Sequence, residues 1–215
     1  MPRPHFRRPL LAACLLLGLA RAHADELTGA VADLQQRWAV ANYELHDKPR
    51  VAALEVLAQD AQALTARYPK RADAWIWSGI IRATLAGAHG GLGALGIAKA
   101  ARSDLEHAIE IDPNALGGAA YTSLGTLYHK VPDWPVSFGD DKQAEHLLRR
   151  ALDVAPNDID ANYFYAEYEY DEGHQAEAVR YLERARAAPP RPGRELADRG
   201  RQGEIAALLA KAGAK

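Results

Sequence analysis

Four prolines, Pro69, Pro113, Pro156 and Pro190, each close a stretch of helical pattern, and they stand 44, 43 and 34 residues apart. Proline cannot continue a helix, because it has no amide hydrogen to donate and its ring meets the preceding turn. The chain is therefore cut into units. Each unit carries two segments in which apolar residues recur at steps of three and four, the spacing of one helix face. No stretch alternates apolar and polar residues in the manner of a strand, so the expected fold is all-α, built from antiparallel helical hairpins.

The unit over residues 114–156 shows the grammar most fully. Leu124, Gly125 and Tyr128 mark a first helix whose small residue admits a second helix at close range. Ala144, Leu148 and Ala151 mark the second, Asp140 is placed to cap it, and Gln143 three residues later completes the pattern of a capping box. Around it, Gly79 pairs with Ala101, Leu105 and Ala108, and Ala166 pairs with Ala178, Leu182 and Ala185. The pattern resembles the tetratricopeptide (TPR) repeat, whose period of about 34 residues matches the last unit. The two longer units imply insertions, expected at residues 86–96 and 131–141. Residues 25–69 form an initial hairpin with Leu27, Val31, Leu34, Trp38 and Ala41 on one helix and Leu54, Leu57, Ala61 and Leu64 on the other. Residues 70–190 hold the TPR-like repeats. Residues 191–215 supply a closing helix with Leu196, Ile205, Leu208 and Leu209 on one face and a polar far face.

Residues 1–24 have early arginines, an apolar run and an Ala-His-Ala ending, the layout of a secretory signal peptide cleaved after Ala24. Leu11-Ala12-Ala13-Cys14 resembles a lipoprotein box, but most of the apolar run follows Cys14 instead of preceding it, so the expectation is cleavage without lipidation. Cys14 is the sole cysteine, so no internal disulfide can form. No later stretch has the length and apolarity of a transmembrane anchor. Loss of four arginines and no acid with the leader takes the net charge from −2 to −6. A mildly acidic chain is a poor match for nucleic acid, whose affinity comes from neutralised phosphates.

Several motifs carry chemistry in other contexts. Gly91, Gly93 and Gly96 match GxGxxG, but the phosphate-binding version needs a preceding strand, and here a helix precedes it. His107 with Glu110, and Asp171, Glu172 and His174, have spacings that a metal could use, though each suits a solvated helix face equally. There is no GxSxG elbow and no cysteine outside the leader. The expectation is a protein that is not an enzyme and has no cofactor or metal.

In TPR proteins the first helices line the concave face, and by resemblance the partner-facing residues lie three before, one after and four after each small residue. These are Ile76, Ile80 and Ala83; Thr122, Thr126 and His129; and Tyr163, Glu167 and Tyr170. None is Lys, Arg or Asn, the residues with which some TPR domains hold a terminal carboxylate. An apolar or aromatic peptide, a docked helix or a small organic ligand suits the set better, while packing between helices is the plain alternative for the tyrosines. Trp134 and Phe138, between prolines and a glycine, either fold back over the hairpin as a lid or stand out as a partner contact.

The segments ALGGAAYTSLGTLYHKVPDWPVSFGDD, DANYFYAEYEYDEG and APPRPGRELADRGRQGEIAALLAK, spread over residues 115–210, resemble a group of exported bacterial TPR proteins. A more distant likeness is to the T component of TRAP transporters, a periplasmic TPR protein thought to associate with a solute-binding protein. The resemblance implies a non-catalytic periplasmic scaffold that binds a protein or peptide in its groove, and it is compatible with a homo-oligomer. The alternative is a transporter-associated carrier of a small apolar ligand.

Overall fold

The computed structural model describes the backbone of residues 10–213 and the side chains of residues 26–213. The expected leader, its cleavage after Ala24 and the Cys14 box lie outside the residues whose side chains are described. The helices are α1 (Leu10–Tyr43), α2 (Asp47–Arg67), α3 (Ala72–His89), α4 (Ala94–Ile111), α5 (Ala119–Lys130), α6 (Asp141–Val154), α7 (Ile159–Asp171), α8 (Gln175–Arg186) and α9 (Glu195–Gly213). A 3-10 turn, Ala115–Gly118, leads into α5. Among the described residues there is no strand, only a single bridge between Asp133 and Gly139. No described helix is long and apolar enough to cross a membrane.

Successive helices pair as hairpins, and in α3/α4, α5/α6 and α7/α8 a small residue stands at the crossing. A Cβ on Gly79 would lie 2.5 Å from Leu105 Cγ, and one on Gly125 would lie 2.8 Å from Leu148 Cγ and 3.1 Å from the Ala144 carbonyl. Ala166 takes the same place in α7 and is fully buried. The return helices answer with one repeated triplet: Ala101, Leu105, Ala108; Ala144, Leu148, Ala151; and Ala178, Leu182, Ala185, all without exposed surface. Alanines flanking a leucine at this spacing let two backbones approach while the leucine fills the space beside the small residue, where dispersion contacts are densest.

The two long units differ from the minimal hairpin in different ways. Between α3 and α4 the extra residues lengthen both helices, and the connection shrinks to residues 90–93, with Gly90 and Gly91 both at φ 64°. Between α5 and α6 they form an irregular loop. Its ends are tied by the Gly139 amide donating to the Pro132 carbonyl at 3.0 Å and the Asp140 amide donating to the Tyr128 carbonyl at 3.2 Å. Asp140 caps α6 by accepting from the amides of Lys142 and Gln143 at 3.0 and 3.1 Å. The reciprocal half of a capping box is not formed among the described residues, because the Asp140 amide that Gln143 would accept from is already held by Tyr128.

The closing helix departs from expectation most. Its buried positions are Ala197, Arg201, Ile205, Leu208 and Ala212, a stripe at helical spacing with an arginine at its centre. Ile205, Leu208 and Leu209 pack with α7 and α8, whereas Leu196 and Ala197 pack into the cluster of α1, α2 and α3. Gly200 lies against α1 so closely that a Cβ there would be 2.3 Å from the Tyr43 ring. With Arg199, Gly203 and Ala206 on its exposed side, α9 joins the last hairpin to the first helix across the concave side of the solenoid.

Candidate functional site

Closure leaves a cavity of about 560 Å³ between the first helices and α9. Residues of α1, α3, α5, α7 and α9 line it, with Arg50 of α2, Leu116 of the 3-10 turn and the segment before α9, while α4, α6 and α8 contribute nothing. The volume falls within the 300–1,000 Å³ typical of small-molecule sites.

One wall is apolar. Trp38, Trp77, Ile80 and Ala83 form it with Leu127. Trp38 meets Trp77 edge to face, with ring centroids 5.8 Å apart, and its indole nitrogen donates to Thr84 Oγ1 at 2.9 Å. Trp77 is 2% exposed, and its own indole N–H has no partner. Leu116 is held at φ 48°, in the left-handed region that a branched side chain disfavours, and lines the same space.

A second part of the wall is ionic. Arg201, 6% exposed, donates to Asp160 Oδ1 at 2.8 Å and to Glu204 Oε2 at 2.5 Å, and its guanidinium lies 4.4 Å from the ring centroids of both Tyr163 and Phe164. Arg191 donates to Asp160 Oδ2 at 2.6 Å and to Asp198 Oδ1 at 2.8 Å through Nε. Burial alone would push the Asp160 carboxyl up, but Arg201 and Arg191 outweigh it and hold the group well below the usual carboxylate range. Burial likewise opposes the charge on Arg201, and Asp160 overcomes it, so this guanidinium is held above its ordinary value. Tyr43, whose hydroxyl donates to Glu204 at 3.4 Å, is pushed up to about 12, chiefly by burial.

Of the expected groove residues, Ile80, Ala83, Thr122, Thr126, Tyr163 and Glu167 line this cavity together. Ile76 does not; it is fully buried between α4 and α5 beside Leu105 and Leu124. His129 also lies elsewhere, bonded to Asp141 at 3.1 Å and Asp171 at 2.9 Å with its ring against Tyr168. Tyr170 is a partly buried residue packed against the cluster of α7, α8 and α9. Tyr163 is 7% exposed, packed in the cluster of α7, α8 and α9 with the Arg201 guanidinium against its ring. The loop residues divide: Phe138 folds back, edge to face with Tyr128 and under the Arg102 guanidinium, whereas Trp134 is 85% exposed.

The spacings considered for metals resolve into ordinary pairs. His107 meets Glu110 at 3.2 Å. His174 turns away from Asp171 to bond Glu169 at 2.7 Å, while Asp171 holds Lys130 and His129. No group of three or more His, Cys, Asp or Glu among the described residues is placed to hold a metal ion. The glycines at 91 and 93 sit in the turn from α3 to α4, away from any strand.

Motif and spacing gave no expectation of the ionic wall. Arg201 stands in α9 four residues after Ala197 and four before Ile205, which puts a charged residue inside the apolar stripe of its own helix. That register was the available signal, since an arginine so placed must find buried carboxylates.

The arrangement of hairpins is shared with a solved structure, that of a thermophilic TPR protein of Thermus thermophilus. The two align with a TM-score of 0.56 over 90% of this chain and 97% of the other, at 18% sequence identity. The chain has the TPR fold. At that identity the likeness is one of fold alone. No family model and no curated protein matches the sequence.

Proposed function

We propose that this TPR-fold protein is a non-catalytic carrier that encloses a small organic ligand on its concave side. The observation that carries the reading is the closure of the solenoid by α9. An open TPR groove offers a long channel for a peptide or a docked helix, whereas here α9 spans from α7 and α8 to α1, and the space that remains has the size and the mixed apolar and polar lining of a small-molecule site. Export belongs to the same reading and rests on the leader pattern of residues 1–24; association with a transporter rests on the TRAP resemblance.

The test is titration calorimetry with an uncharged planar apolar solute, 2-naphthamide, against the wild type and the Ala83→Trp variant. One molar equivalent should bind the wild type, and the larger side chain should abolish binding by occupying the apolar wall. Equal binding to both proteins, or binding of neither this amide nor the matching acid 2-naphthoate to the wild type, would overturn the reading.

A second reading has its own observation. Trp134 and Val136, 85% and 56% exposed, stand on the outer loop between α5 and α6. Large apolar side chains on a loop that is otherwise tied down support a protein contact there, with the solenoid as scaffold. Pull-down from the natural host with wild type and Trp134→Ala tests it: a partner retained equally by both would contradict it.

A further inference from the structure

The charged groups of the cavity are not evenly satisfied. Each carboxylate in its wall is already bonded: Asp158 accepts from the Ala161 amide at 2.9 Å, Asp160 from Arg191 and Arg201, Glu204 from Arg201 and Tyr43, and Glu167 lies 3.4 Å from Lys130. Three of the five cations, Lys130, Arg191 and Arg201, are taken up by those acids and by Asp171 and Asp198. The other two are not. Among the described residues, neither Arg50 nor Arg194 has a carboxylate partner. Arg50 donates through Nη2 to the neutral Asn42 side chain at 2.7 Å, and its Nε is buried with no acceptor. Arg194 lies with its guanidinium 5.3 Å from the Trp77 ring centroid, and Trp77 in turn leaves its indole N–H unbonded.

Among the described residues, Arg50 Nε and the Trp77 indole nitrogen are buried donors without an acceptor, and Arg194 is a half-buried cation with no carboxylate in salt-bridge reach. A buried donor without an acceptor costs on the order of 1–3 kcal/mol, more where it carries charge. Burial and neighbouring Arg191 hold the Arg194 guanidinium below its ordinary value, against the opposing pull of Asp160, Asp198 and Asp158. Arg50, Arg194 and Trp77 line the one cavity, so a ligand that brings negative charge into it meets cations without acids, and the wall of Trp38, Trp77 and Ile80 requires that the charge be attached to an apolar, preferably flat, body.

Resting on the carrier reading above, we infer that the ligand is an apolar organic carboxylate, its carboxylate held by Arg194 and Arg50 and its body laid against Trp38 and Trp77. A planar guanidinium matches a carboxylate through paired N–H donors, which an uncharged amide cannot reproduce.

The test compares 2-naphthoate with 2-naphthamide, equal in shape and different in charge, by titration calorimetry on the full chain at neutral pH. The carboxylate should bind wild type at least tenfold more tightly than the amide. Arg194→Gln should reduce that ratio to near unity with little change for the amide, Arg194→Lys, which keeps the charge and loses the paired donors, should retain only part of it, and Arg50→Gln should lower it in the same direction. Equal binding of acid and amide by wild type overturns this inference and leaves the carrier reading standing. A charge preference that survives Arg194→Gln and Arg50→Gln also overturns it. Binding of neither solute overturns the carrier reading itself. The wild-type comparison does not depend on whether a variant folds.

Discussion

Asp160 is the point at which the ring closure is most open to attack. Its two carboxylate oxygens hold Arg201 of α9 at 2.8 Å and Arg191 of the preceding segment at 2.6 Å, so one side chain at the start of α7 fastens both. Asp160→Asn keeps size and one acceptor but removes the charge, leaving Arg201 buried with Glu204 as its remaining acid. Breaking one partner out of a buried ion pair costs about 3–5 kcal/mol. Asp160 retains 23% side-chain exposure and the amide oxygen can still accept, so a loss of about 2–3 kcal/mol is expected here. For a chain of this size that corresponds to a fall in Tm of about 4–12 °C. Urea unfolding at neutral pH should show the loss as a lower midpoint, and Asp33→Asn, which removes an exposed partner of Arg37, should shift stability by less than about 0.5 kcal/mol. The pH dependence has a definite sign. Because the folded carboxyl is held below its unfolded value, its stabilising contribution is complete above about pH 4 and fades as the pH falls further. The gap between wild type and Asp160→Asn should therefore narrow below about pH 4. A gap under about 0.5 kcal/mol at pH 7, or one that widens in acid, would refute the assignment of closure to this cluster.

Gly200→Leu should displace α9 from α1, because even a Cβ there meets the Tyr43 ring at 2.3 Å; hydrogen exchange of the α9 amides should rise with it, and unchanged protection would contradict the close approach. Gly139→Ala places a Cβ 2.0 Å from the Val131 carbonyl, a clash with backbone, and should cost about 1–3 kcal/mol by thermal unfolding. Leu148→Ala, in the buried triplet of α6, should cost about 2–5 kcal/mol in urea. Asp140→Ala removes both cap acceptances at α6 and should cost about 1 kcal/mol, measured the same way.

The repeat was legible because its signals are local. A small residue in each first helix and an Ala-Leu-Ala triplet in each return helix specify the close approach of two backbones, and the triplets expected from spacing are the ones without exposed surface. The concave face was legible only in part. Each count places two of its three positions on the cavity, Ile80 and Ala83 from Gly79, Thr122 and Thr126 from Gly125, and Tyr163 and Glu167 from Ala166, while the neighbouring hairpin buries Ile76. His129 and Tyr170 fall at the far end of their helices, where turn residues and the adjoining unit engage them. Trp38 carries the apolar wall with Trp77 yet stands in the sequence as one more residue of an apolar helix stripe, because a cavity wall and a core share one apolar pattern.

The ionic wall depends on contacts between residues more than thirty apart. Arg191 reaches Asp160 and Arg201 reaches the same carboxylate from α9, a pairing that no helical periodicity encodes. Only the arginine inside the apolar stripe of α9 hinted at it. The loop of Trp134 and Phe138 shows the same limit. Two similar side chains in one short segment were equally able to fold back, and the difference came from Tyr128 and Arg102, which take Phe138 and leave Trp134 in solvent.

Native mass spectrometry of the protein isolated from its natural host tests most directly whether the cavity on the concave side holds a small ligand. A chain carrying a small extra mass that is released on mild activation, and that is missing from Ala83→Trp prepared in parallel, is the expected result. A bare wild-type chain, or an extra mass that Ala83→Trp retains, would contradict it.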